Sequence, residues 1–92
     1  MFHKVKTVDA LSNWILCVGF EGGQTKLYDV KELFGKFKAF KSLQDDEQLF
    51  CKVRVGEGGY GVIWSDWLDL SSEELFVNGK DARQGCLERT DG

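Results

Sequence analysis

The sequence predicts an α+β domain: a small antiparallel sheet of about five short strands, arranged as a three-stranded meander, a helix and a hairpin, packed against two or three short helices. Three observations carry this expectation. Residues 3–28 and 52–64 alternate β-rich runs with glycine-containing turns. From Val30 the apolar residues switch to steps of three and four, the period of a helix. Ser71-Ser72-Glu73-Glu74 then has the form of a capping box, which opens a further helix.

Residues 3–8 form the first strand, and 9–13 connect it to a second over 14–20. In that second strand Trp14, Leu16, Val18 and Phe20 share one face while Ile15 and Cys17 share the other, so both faces are apolar and the strand is central. Gly22-Gly23 reads as a two-residue hairpin turn, because both central positions of a type I′ turn need positive φ. Residues 25–28 complete the meander.

Val30, Leu33, Phe34, Phe37, Phe40 and Leu43 then mark the inward face of an amphipathic helix, with Asp29 as its N-cap and Glu32 completing an acidic capping box. Gly35 is its weak point, where the helix can stop and restart, since an interior glycine costs about 1 kcal/mol relative to alanine. Asp45-Asp46-Glu47 opens a short helical turn through Leu49 and Phe50, with its acids at the positive end of the helix dipole. Residues 52–55 and 60–64 form a hairpin across Gly56-Glu57-Gly58-Gly59. The last helix carries Leu75 and Phe76, and Asn78-Gly79 is expected to end it in a left-handed cap. One domain over residues 1–79 and a disordered tail over 80–92 follow, because the tail is polar and has no apolar period.

At 92 residues, 42% of them hydrophobic and 13% aromatic, the chain can fill one core and not two. The net charge of −3 argues against a general polyanion binder. It is unevenly distributed: residues 1–41 hold seven lysines against four acids, so the remainder sums to −6. Cys17, Cys51 and Cys86 form no C-x-x-C pair and leave one over in any disulfide scheme, which suits a reducing compartment. Cys17 and Cys51 lie in apolar runs and read as small buried hydrophobes. No stretch approaches ~18 apolar residues and no leader pattern opens the chain, so a cytoplasmic protein away from membranes is expected.

The motifs that could carry chemistry have structural readings. Asp66, Asp69, Glu73 and Glu74 near Trp64 and Trp67 resemble a carboxylate pair for sugar cleavage, yet each fits a turn or the first turn of a helix. His3 has no partners at zinc spacing, and the glycine-rich loop lacks the Lys-Ser/Thr ending of a phosphate loop. Gly59-Tyr60-Gly61-Val62-Ile63-Trp64 departs from the RNA-binding strand motif, with Gly58 at its basic position and Val62 at an aromatic one. No catalytic residue, cofactor or metal site is expected. The remaining candidates form an interaction surface: Lys31, Lys36, Lys38 and Lys41 opposite the apolar helix face, and Trp64 and Trp67 as aromatic anchors.

The order Leu27-Tyr28-Asp29-Val30, Leu33-Phe34, Leu49-Phe50, Val53-Arg54-Val55, Tyr60-Gly61-Val62, Trp64, Asp69-Leu70-Ser71 and Glu74-Leu75 resembles a bacterial family, domain of unknown function 2442 (DUF2442). The resemblance implies a compact α+β domain, found alone or fused upstream of a helix-turn-helix DNA reader. It also implies a neighbouring small protein as partner, in an assembly of the toxin-antitoxin kind. It brings no set of site residues. The expected function is a non-catalytic protein-interaction module, binding a protein partner or itself. An antitoxin-like or regulatory component is the alternative, and a small hydrolase a third reading. Nucleic-acid binding by this chain alone is disfavoured by its acidic second half.

Overall fold

The computed structural model describes residues 3–82. Their elements run in the order β1 (Val5–Leu11), β2 (Ile15–Phe20), β3 (Thr25–Asp29), α1 (Lys31–Phe34), α2 (Lys38–Asp45), α3 (Glu47–Phe50), β4 (Arg54–Val55), β5 (Gly61–Ser65), β6 (Leu68–Ser71), α4 (Ser72–Asn78) and β7 (Lys80–Asp81). The α+β class and the antiparallel pairing hold, but the strands divide into two sheets, β1-β2-β3-β7 and β4-β5-β6. Two elements outside the expected five make the difference. The run Leu68–Ser71 buries its leucines and exposes Asp69 and Ser71, so it joins β5 as a third strand of the second sheet. Lys80–Asp81 joins β3 at the edge of the first.

That second pairing carries the first sheet past residue 79, into the segment expected as tail. It is held by the Lys26 Nζ to Asp81 Oδ1 ion pair at 2.7 Å and by the Ala82 N–H, which donates to the Thr25 carbonyl at 2.9 Å. The rest of the expected tail, residues 83–92 with Cys86, lies outside the described residues.

β2 is central in the first sheet, and its Leu16, Val18 and Phe20 enter the core with Val5, Tyr28, Val30, Leu43, Phe50, Val62 and Leu75. Helix α4 packs on β3, β5 and β6 and so bridges the two sheets. Cys17 is buried as expected, whereas Cys51, expected inside, is exposed at the C-terminal end of α3.

The turns depart from the sequence reading for local reasons. β1 continues to Leu11, and a single 3-10 turn over Ser12–Trp14 replaces the longer connection. Asn13 and Trp14 both take positive φ, at 63° and 56°. A tryptophan in that region is strained, and tertiary contacts hold it there. Its Nε1 donates to the Leu43 carbonyl at 2.8 Å, its own carbonyl accepts from the Val30 N–H at 3.0 Å, and its ring meets Phe34 edge-on. Between β2 and β3 Gly23 alone has positive φ, and Phe20 closes the turn by pairing with Gly23 and Gln24. This is the three-residue loop with a glycine bulge, not the two-residue form.

The helix after Val30 does break at Gly35. Phe37 is extended before α2 begins, with φ −133° and ψ 120°. Asp29 Oδ1 accepts from the Lys31 N–H at 3.0 Å at the start of α1. Asp46 caps α3 through the N–H groups of Gln48 and Leu49, and Ser71 Oγ caps α4 by accepting from the Glu74 N–H at 3.2 Å. Gly79 is extended rather than left-handed, at φ −78° and ψ 157°. Glycine is needed there for closeness, since a Cβ would stand 2.9 Å from the Lys26 Cβ and 2.5 Å from the Leu75 carbonyl oxygen.

Candidate functional site

The residues expected to form an interaction surface separate in space. Trp64, on β5, is 3% exposed and donates its Nε1 proton to the Phe50 carbonyl at 3.1 Å. It is a core residue and cannot serve as a surface anchor. Trp67, in the turn between β5 and β6, is 88% exposed. The lysines also divide. Lys31 Nζ bonds the Asn13 carbonyl and pairs with Asp29 at 2.9 Å, so it braces the β1–β2 turn. Lys36, Lys38 and Lys41 are exposed.

Between Lys36 and Lys38 in the chain stands a feature that helical spacing did not anticipate. Phe37, expected to face inward with Phe34 and Phe40, is 53% exposed, because the break at Gly35 ends the helical frame before it. Phe34 is half-buried and Phe40 is buried. Phe37 is nevertheless held on one side. Its ring meets Phe40 at 6.3 Å, Phe40 meets Trp64 at 5.9 Å, and Trp64 meets Phe50 at 6.4 Å. A row of aromatic rings therefore runs from solvent to the centre of the core, and the exposed ring stands on a packed base.

Beside Phe37 runs a groove of about 460 Å³. Leu33, Lys36, Phe37 and Phe40 form its helical wall, and Asp69, Leu70 and Ser71 of β6 form the other. Glu74 and Asn78 of α4 also line it. Of the four acids weighed as a carboxylate cluster, only Asp69 and Glu74 line this groove among the described residues, and Glu74 is engaged. Tyr28, buried on β3, donates its hydroxyl proton to Glu74 Oε2 at 2.7 Å. That bond links α4 to the first sheet.

Burial first, then the hydrogen bond and charge of Glu74, push the Tyr28 hydroxyl well above the usual tyrosine value of about 10. The unfolded chain therefore releases this proton first as pH rises, so the contribution to stability is complete below about pH 10 and is lost above it. Urea unfolding is expected to show a decline in stability above about pH 10 that is shallower in Tyr28→Phe than in the wild type. Equal slopes would mean that Tyr28 gains nothing from its buried setting.

A smaller cleft of about 250 Å³ lies by Ile15, Leu27, Asp29 and Glu32, but Asp29 is already bonded to Lys31. His3 stacks on Phe76 with ring centroids 3.6 Å apart. Among the described residues no three His, Cys, Asp or Glu side chains are placed to hold a metal, and no helix is long and apolar enough to cross a membrane.

The model of a family described as a protein of unknown function, DUF2442, matches residues 5–81, which covers nearly all of the described chain. No curated protein and no solved structure matches.

Proposed function

The chain belongs to the DUF2442 family, and from that premise we propose that it is a non-catalytic protein-interaction module whose contact face is Phe37 with Lys36, Lys38 and Lys41. The observation that carries this reading is the half-exposed ring on a packed aromatic base. An aromatic side chain held in place loses little conformational freedom on binding, which is why such residues dominate interface energetics. Lys36 and Lys38 flank it in the chain and Lys41 follows on α2, all three exposed, which favours a partner that brings an apolar residue flanked by carboxylates. The family resemblance supports a bacterial cytoplasmic setting and a neighbouring gene product as that partner.

The test is an NMR titration with a blocked heptapeptide that alternates polar and apolar residues and carries an acid at each end. Amide shifts over residues 33–41 are expected, weakening as salt rises and weakening about tenfold in Phe37→Ala. Shifts confined to other surfaces, or equal shifts with acids replaced by lysines, would remove the basis for this face.

A further inference from the structure

The lining of the groove distinguishes a strand edge from a strand face. Successive side chains of a strand point to opposite faces, so a channel across one face meets every second residue. Asp69, Leu70 and Ser71 all line this groove, although Leu70 belongs to the core and Asp69 and Ser71 are exposed. The groove therefore follows the margin of β6. The opposite margin is taken by β5, and β6 is the terminal strand of its sheet. An open strand margin presents unpaired backbone donors and acceptors, and here an apolar helical wall stands beside it.

We propose that an extended segment of a partner protein adds to β6 as a fourth strand of the second sheet, between β6 and the wall formed by Leu33, Phe37 and Phe40. Backbone hydrogen bonds supply the attachment and alternate side chains supply the selection, as in other strand-addition complexes. Side chains of the added strand that point toward the helices meet Leu33, Phe37 and Phe40 and must be apolar. One that points outward across from Asp69 is best basic, since opposite charges attract across a strand pair and like charges repel. An acid at one end of the segment suits Lys36 on the helical wall, and further acids suit the exposed Lys38 and Lys41 of α2. The occupant is thus an alternating polar–apolar segment with a central lysine and acidic ends.

This inference rests on the interaction face proposed above, and the experiment separates the two. A blocked heptapeptide of that pattern, with lysine at its centre, is titrated into the full chain. A second version carries N-methyl groups on the amides that would pair with β6. The first peptide is expected to slow amide exchange over residues 68–71 and to shift residues 33–41; N-methylation is expected to cost about tenfold in affinity or more. Asp69→Lys is expected to weaken the central-lysine peptide and to favour a version with a central glutamate. If the N-methylated peptide binds equally well, or if Asp69→Lys changes nothing, strand addition is overturned while the Phe37 face stands. If neither peptide shifts residues 33–41, both fail. Concentration-dependent dimerisation that occupies residues 68–71 without peptide would assign the margin to a second copy and overturn the partner segment.

Discussion

Trp64→Ala is expected to leave the chain largely unfolded at room temperature. Truncating a buried aromatic side chain costs about 3–5 kcal/mol. The Phe50 carbonyl also loses the indole donor that reaches it inside the core and keeps only the longer bond from the Val53 N–H at 3.4 Å, and losing one hydrogen bond costs about 0.5–1.5 kcal/mol more. A domain of this size has a total stability of roughly 5–15 kcal/mol, toward the lower end for a small one. The ring row then loses the member that joins Phe40 to Phe50, so repacking cannot recover much of the loss. Far-UV circular dichroism against urea measures the effect, with Trp67→Ala as its counterpart. That exposed residue should change stability by no more than about 0.5 kcal/mol. Similar losses in both variants would contradict the assignment of one tryptophan to the core and the other to solvent.

Gly61→Ala is expected to cost about 1–3 kcal/mol, the range for forcing extra volume into a packed site. A Cβ at this position would collide with the Leu70 carbonyl oxygen and stand 3.2 Å from the Ser71 Cα. Both obstacles are backbone of the paired strand, and backbone in a ladder cannot step aside as a long side chain can. β5 and β6 must separate, which should also alter the groove margin and weaken peptide binding. Gly35→Ala is the control: a Cβ there meets nothing within 4 Å, and no loss of stability is expected. Equal behaviour of the two variants would mean that β5 and β6 have more room than their close approach indicates.

The parts of the fold legible in the sequence were those with a strong local signal. The central position of β2 followed from its two apolar faces, and the break at Gly35 from the cost of glycine in a helix. The cap by Ser71 came from a side chain that satisfies a free N–H group, whereas Asp29, expected as a cap, stands one residue before the Val30 N-cap of α1. The division into two sheets was not legible, because Leu68-Asp69-Leu70-Ser71 offers only two periods of alternation. Turn types were missed where a long-range contact overrides local preference, as at Trp14, or where glycine serves closeness, as at Gly79.

The candidate site was legible in its residue types but not in its arrangement. Helical spacing placed Phe37 inside by assuming that the frame persisted across Gly35. The position of Trp64 two residues after Val62 carried a usable signal, since strand alternation puts both on one face, and both are buried. The bond between Tyr28 and Glu74 spans 46 positions, and no local pattern announces it.

The indole of Trp14 reaches 29 positions along the chain to the carbonyl of Leu43, in the last turns of α2. Fraying that end of the helix would free a tryptophan held in an unfavourable backbone conformation, so the helix and the hairpin behind it should come apart together, as one cooperative unit in hydrogen exchange. A partner grasping the opposite end of α2 would thus be pulling on the meander as well, and its binding should be felt as slower opening in strands it never touches.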